Sequence, residues 1–168
     1  MMGAMRALPV SHEPPPADAE PGVLVGVDGS DGSLWALERA LAEAHAHAVP
    51  LRVLAAVNPI TPTAAGVTAG LEDVVQDSVG RLLAGMSDVV QRGVAAASSR
   101  VPEAGTPSLH VVAGDPIALL LSASARQHTL VLGTRGNGGF SRLLLGSVAS
   151  ALTFHALCPV LLVPGPKR

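Results

Sequence analysis

The sequence predicts an α/β fold, an open five-stranded parallel sheet covered by helices on both faces. Short apolar runs alternate with stripes at helical spacing, giving strand and helix four times and then a last strand. The runs at 23–27 and Val160–Val163 are apolar throughout, which is typical of strands buried on both faces. Composition agrees, since 48% of the residues are hydrophobic and 14% are charged, against about 25% charged in an average soluble domain.

Turn residues separate these elements and mark the helix ends. We expect strands at 23–27, 51–57, 109–113, 129–132 and 159–163, and helices at 34–48, 71–100, 117–127 and 147–155. Ser30 or Asp31 is placed to cap the first helix. Asp115 is placed to cap the third, with Pro116 in its first turn. Three glycines within 71–100 count against a continuous second helix.

Composition also excludes several classes of function. Only three residues are aromatic and no basic cluster occurs, so the chain lacks a nucleic-acid platform. No apolar run is long enough to span a bilayer, and the N-terminus does not resemble a signal peptide. The single cysteine, Cys158, cannot form an internal disulfide, which favours the cytoplasm. Residues 1–21 contain three consecutive prolines and no periodicity, so we expect a flexible tail before one domain at 22–165.

A glycine-rich segment between the fourth strand and the last helix carries the main chemical signal. Four glycines lie within 133–139, and Gly146-Ser147 opens a helix. Such a turn permits close approach to a ligand or a positive φ, and helix N-termini attract phosphate. Ser147 could cap the helix and also donate to a phosphate oxygen. The same composition also fits a flexible connection.

Charge and topology point to the same segment. Every Asp and Glu lies at or before Asp115, so residues 1–115 carry a formal charge of −7 and residues 116–168 carry +5. Asp28 follows the first strand and Gly133 the fourth, and both belong to the carboxyl edge of the sheet, where such folds bind ligands. Asp28 could equally be a turn-forming residue before Gly29. Neither a Walker motif nor a Gly-x-Gly-x-x-Gly dinucleotide motif is present.

The glycine-rich segment resembles the motif of a known family. Gly133-x2-Gly136-x9-Gly146-Ser147 is similar to the nucleotide motif of universal stress proteins, Gly-x2-Gly-x9-Gly-Ser/Thr. Three further segments resemble family landmarks in the same order: 25–30, 114–116 and 155–160. The resemblance covers about residues 22 to 164.

The resemblance implies a Rossmann-like or flavodoxin-like three-layer sandwich with strand order 3-2-1-4-5. It implies ATP, with or without Mg²⁺, as the ligand. Asp28 would reach the ribose and adenine region, Ala56 would line the adenine pocket, and Leu132 and Gly133 would lie beside base and ribose. The phosphate cradle would comprise Gly136, Asn137, Gly146, Ser147 and Val148, although many relatives carry a basic residue in place of Asn137.

Three functions remain open at this stage. The resemblance favours an ATP-binding regulatory protein of the stress response, forming a homodimer through Val160–Val163. An apolar strand at a sheet edge also invites pairing. The alternatives are a slow ATPase or phosphotransferase and a nucleotide-independent interaction module. The histidines lack metal-ligand spacing and no serine lies in a nucleophile elbow, so we predict neither catalytic residues nor a metal site.

Overall fold

The computed structural model describes residues 7–59, 72–136 and 145–165. In chain order the elements are β1 (Val10–Ser11), β2 (Val23–Gly26), α1 (Asp31–His47), β3 (Leu51–Val57), α2 (Glu72–Arg100), β4 (Ser108–Ala113), α3 (Pro116–Ser124), β5 (Thr129–Gly133), α4 (Ser147–His155) and β6 (Val160–Val163).

The strands form one parallel sheet in the order β1-β4-β3-β2-β5-β6. Val25, near the sheet centre, pairs with Val53 on one side and Val131 on the other. The predicted α/β class is confirmed, and the five expected strands have the expected order 3-2-1-4-5. The predicted strand count is wrong, because the described sheet has six strands.

The additional strand, β1, lies within the segment that composition marked as a tail. Val10 pairs with Leu109 of β4. Side chains hold the next residues: His12 Nδ1 lies 2.9 Å from the Val111 carbonyl oxygen, and His110 Nδ1 lies 2.9 Å from that of Glu13. Carbonyl oxygens only accept, so each imidazole nitrogen must donate. This segment therefore covers the outer edge of β4.

The apolar core has two halves, one on each face of the sheet. On one face α1 and α2 cover the sheet, with Leu37 and Val90 in the same half of the core as Val25. On the other face α3 and α4 cover it, with Leu120 and Leu152 in the second half of the core. Because both faces are covered, successive strand residues are buried alike, which explains the uniformly apolar run at 23–27.

Arg52 is a buried cation within β3, with 6% of its surface exposed. Its guanidinium donates to the Glu20 carbonyl oxygen at 2.7 Å and to Gln127 Oε1 at 3.1 Å. Burial lowers the pKa of Arg52, and the nearby Glu20 charge partly opposes that change. These contacts tie the residues before β2 to the edge of the sheet opposite the strands' carboxyl ends.

The helix ends largely follow the local sequence signals. Ser30 caps α1 by accepting from the Ser33 N–H at 3.3 Å. Asp115 caps α3 by accepting from the Ala118 N–H at 2.8 Å, and Pro116 is the first helical residue. Both predicted caps are confirmed.

The second helix, α2, runs through its glycines as one helix of 29 residues; residue 71 lies outside the described residues. A Cβ on Gly80 or Gly85 would meet nothing within 4 Å, so these exposed positions put no packing strain on the helix. Gly93 lies where α1 comes close, since a Cβ there would be 2.7 Å from Leu34 Cδ2.

We predict that deleting residues 1–13 lowers the free energy of unfolding by about 2 kcal/mol while the domain still folds. The deletion removes the partly buried Leu8 and Val10 and the hydrogen bond of His12. Urea denaturation measures the change. The single substitution His12→Ala should have a smaller effect, and a deletion variant as stable as the parent would show that the segment contributes no net packing.

Candidate functional site

The site lies at the carboxyl edge of the sheet, between β2 and β5. These neighbouring strands continue to opposite sides, since β2 leads to β3 and β5 leads to β6. Such a divergence opens a crevice at the ends of the strands. Asp28 follows β2, residues 134–136 follow β5, and α4 begins beside them.

Asp28 is half-buried and held by its own turn. Its Oδ1 accepts from the Ser30 hydroxyl at 2.5 Å and from the Ser30 N–H at 3.0 Å. The Asp28 N–H donates to Ser33 Oγ at 3.3 Å. The other carboxylate oxygen, Oδ2, faces Gly136, where it is the nearest atom to the position a Cβ would occupy. The turn-forming role and the location opposite the glycine loop therefore coexist.

The glycines at this edge allow two backbone segments to touch. A Cβ on Gly133 would lie 2.7 Å from the Gly32 carbonyl oxygen. A Cβ on Gly32 would lie 2.7 Å from the Arg135 carbonyl oxygen. Of the described glycines, those with a left-handed or otherwise positive φ are Gly29 and Gly114, at 82° and 156°. Close approach, and not a positive φ, is thus what requires glycine at Gly32 and Gly133.

The start of α4 is anchored to the end of β5. The Gly146 N–H donates to the Thr134 carbonyl oxygen at 2.8 Å, and the Thr134 N–H donates to that of Val163 at 3.0 Å. Gly146 is the N-cap residue, and glycine has no side chain with which to cap the helix. The N–H groups of the first turn therefore receive no cap from the side chain at the N-cap position, and N–H groups at a helix start are the donors that bind anions.

The predicted capping role of Ser147 is wrong. Ser147 is already the first helical residue, and the glycine before it occupies the cap position. The side chain of Ser147 is exposed beside the helix start, so its hydroxyl remains able to meet a ligand.

The other predicted site residues differ in how far their side chains are buried. Ala56 is half-buried near the end of β3, two residues beyond Leu54, which pairs with Gly26, so it stands level with Asp28. Leu132 has a buried side chain in the α3/α4 half of the core, and Val148 packs against the same half. Asn137 lies outside the described residues, as do its neighbours to 144.

Ser30, Gly32 and Ser33 belong to the site although sequence reasoning did not place them there. Ser30 was expected only to cap a helix. The signal that could have identified its second role is the spacing Asp-x-Ser, since a side chain two residues after an Asp can donate back to the carboxylate. Nothing local could have identified Gly32, because its constraint comes from Arg135.

Reactive side chains outside the site include a pair of neighbouring histidines and one thiol. Within the described ranges, no group of three or more His, Cys, Asp and Glu is arranged to hold a metal ion. His47 stacks on His128 with ring centroids 4.8 Å apart. Burial raises the pKa of the Cys158 thiol, which keeps it protonated and a poor nucleophile at neutral pH. None of the described helices is both long and apolar enough to cross a bilayer.

A parallel sheet with a glycine loop, a helix that begins after an N-cap glycine and a carboxylate at the topological switch point has the layout of an open α/β domain with helices on both faces. The sequence profile described as "Universal stress protein family" matches residues 22–164. The chain therefore belongs to the universal stress protein family.

Curated relatives agree with this assignment. Universal stress protein Rv1996 of Mycobacterium tuberculosis is 33% identical over 157 residues, which cover 88% of this chain and 49% of that protein. A universal stress protein of Thermus aquaticus is 34% identical over 143 residues, covering 84% of this chain and 96% of that protein. The chain thus spans about half the length of the mycobacterial relatives.

Solved structures show the same fold. The universal stress protein UspA from Lactobacillus plantarum superposes with a TM-score of 0.69 at 22% identity, covering 87% of this chain and 99% of that one. A universal stress protein in complex with cAMP superposes with a TM-score of 0.57 at 25% identity, covering 89% of this chain and 100% of that one.

We predict that Gly133→Ala destabilises the protein by about 2 kcal/mol, because the added methyl group would meet backbone atoms of Gly32 that cannot rotate away. Gly85→Ala is the matched control. Its methyl group meets nothing within 4 Å, so this substitution in a helix should stabilise by about 0.5–1 kcal/mol. Urea denaturation of both variants measures the difference, and equal stabilities would contradict the close approach.

Proposed function

We propose that this protein is a regulatory nucleotide-binding protein that binds ATP in the crevice between Asp28, residues 133–136 and the start of α4. The observation that carries the proposal is the meeting of the Asp28 turn with the end of β5 and with the start of α4, whose N-cap residue is a glycine. Family membership supports it, as does the related structure in complex with cAMP. The single cysteine supports a cytoplasmic location.

The chemistry of the crevice supports one orientation of the nucleotide. The N–H groups at the start of α4, around Gly146 to Val148, favour the negatively charged phosphates. An ionised carboxylate only accepts hydrogen bonds, so Asp28 suits the hydroxyl and amino donors of the nucleoside. Ala56, level with Asp28, has a small side chain that leaves room for a base.

Binding without rapid catalysis fits the distribution of charge. Phosphoryl transfer requires a base or a positioned water and usually Mg²⁺ held by carboxylates. No Asp or Glu follows Asp115 in the sequence, so the glycine loop and α4 bring no carboxylate to the site. Asp28 is engaged by Ser30 within its own turn. We therefore propose a binding protein with at most weak ATP hydrolysis, with or without bound Mg²⁺.

We predict a saturable heat signal when ATP is titrated into the parent protein. Gly136→Ala should bind ATP at least about tenfold more weakly, because its methyl group would overlap Asp28 Oδ2. Gly85→Ala, whose methyl group would meet nothing within 4 Å, should bind like the parent. Phosphate release in the same samples should stay below about 1 s⁻¹.

Two outcomes would contradict the proposal. The first is the absence of both heat and thermal shift with millimolar ATP. The second is a Gly136→Ala variant that binds as well as the parent, which would move any binding site elsewhere. Phosphate release above about 1 s⁻¹ would instead favour an ATPase or phosphotransferase.

We further propose that two copies pair through β6. The carbonyl oxygens of Pro159 and Val163 accept hydrogen bonds from β5. Successive strand residues direct their backbone groups to opposite sides, so Val160 and Leu162 direct theirs to the outer side. At the other side of the sheet β1 already covers β4. The exposed Phe154 and Leu157, on α4 and just after it, add apolar surface near this edge.

We predict a dimer in solution for the parent and a monomer for Leu162→Pro, because proline removes the outward N–H of β6. Leu162→Ala is the matched control, since it loses the same side-chain packing but keeps the N–H. Size-exclusion chromatography with light scattering at micromolar concentration measures the mass. A monomeric parent, or a dimeric Leu162→Pro variant that remains folded, would reject pairing through β6.

A further inference from the structure

We propose that Ser30 is a positioning residue of the nucleotide site, whose hydroxyl holds the Asp28 carboxylate in the orientation that faces Gly136. The inference rests on the proposed function, because it assigns a role within that site. Ser30 itself need not touch the nucleotide. It acts through Asp28, which lies between the Ser30 turn and the glycine loop.

Ser30 contacts one oxygen of the Asp28 carboxylate twice. Oδ1 accepts from both the hydroxyl and the N–H of Ser30, at 2.5 and 3.0 Å. Two donors on one oxygen fix the rotation of the side chain, and a short hydroxyl–carboxylate bond is among the stronger hydrogen bonds. With Oδ1 held in this way, Oδ2 is directed towards Gly136. Both Ser30 donors therefore act on the orientation of the Asp28 side chain.

The Ser30 hydroxyl performs two tasks at once. It donates its only proton to Asp28 and accepts from the Ser33 N–H at 3.3 Å. A hydroxyl has one donor and two acceptor positions, so both bonds form together. Ser33 closes these hydrogen bonds into a ring that links Asp28, Ser30 and Ser33. Its own hydroxyl donates to the Ser30 carbonyl oxygen at 2.9 Å and accepts from the Asp28 N–H at 3.3 Å.

The ring is also fixed relative to the glycine loop. Gly32, inside the same turn, lies against the Arg135 carbonyl oxygen, and Gly133 lies against Gly32. The turn that carries Ser30 and the loop opposite Asp28 therefore cannot shift independently. Removing the Ser30 hydroxyl takes away the shorter of the two Ser30 hydrogen bonds to Oδ1 while leaving both backbone segments in place.

The role of Ser30 in capping α1 and its role in orienting Asp28 can be separated by the choice of substitution. Glycine is tolerated at an N-cap with a loss of only a few tenths of a kcal/mol relative to serine, yet Ser30→Gly has no hydroxyl to hold Asp28. Ser30→Thr keeps the hydroxyl and should keep its hydrogen bond to Asp28. Asp115→Gly makes the corresponding loss at the cap of α3, where the capping side chain contacts the Ala118 N–H.

The test is ATP affinity by calorimetry, with the Asp28 carboxyl ¹³C shift measured in nucleotide-free protein. We expect Ser30→Gly to bind ATP about tenfold more weakly, Ser30→Thr to bind within about twofold of the parent, and Asp115→Gly to bind unchanged. The ¹³C shift should move in Ser30→Gly and stay in Asp115→Gly. In an Asp28→Ala background, adding Ser30→Gly should cause no further loss, because the group through which Ser30 acts is already absent.

The outcomes separate this inference from the proposed function. A parent that does not bind ATP contradicts the proposed function itself. A parent that binds, with Ser30→Gly binding equally well and an unmoved Asp28 carboxyl shift, overturns the role of Ser30 and leaves the ATP site standing. A Ser30→Gly loss of affinity that persists undiminished in the Asp28→Ala background overturns the claim that Ser30 acts through Asp28.

Discussion

The contact between the first turn of α1 and the end of β5 constrains the whole carboxyl edge of the sheet. Gly32 and Gly133 bring two backbone segments so close that a methyl group on either would lie 2.7 Å from a carbonyl oxygen. This contact sets the distance between Asp28 on one side and the glycine loop on the other. The start of α4 joins the same assembly through the bond from Gly146 to Thr134. The crevice is thus built from backbone geometry, with few side chains that could adjust it.

Local chemistry explains what the sequence could predict. The strand–helix alternation, the caps at Ser30 and Asp115, and the uniformly apolar strands depend on residues within one turn or one strand. The β1 strand could not be predicted, because its support comes from His12 and His110, whose partners lie 99 and 97 residues away in the chain. The buried position of Arg52 could not be predicted either, since it depends on Gln127 and on the Glu20 carbonyl oxygen.

The candidate site, like the fold, could be predicted from the sequence only in part. Glycine spacing pointed to the loop after the fourth predicted strand, and the predicted strand order put Asp28 at the same edge of the sheet. The physical reason differed in part from the expected one, since close approach and not a positive φ requires the glycine at Gly133. The cap of α4 was misassigned to Ser147, because an N-cap glycine leaves no side-chain signature. The contribution of Asn137 stays a prediction, since that residue lies outside the described ranges.

The central claim is that three segments form one nucleotide site, and amide chemical shifts measured during an ATP titration test it most directly. The account predicts shifts that saturate together at residues 28–33, 134–136 and 146–149, with little change around Arg52 and Gln127 at the opposite edge of the sheet. Shifts confined to another surface, or changes at the three segments that saturate at different ATP concentrations, would contradict a single site at the switch point.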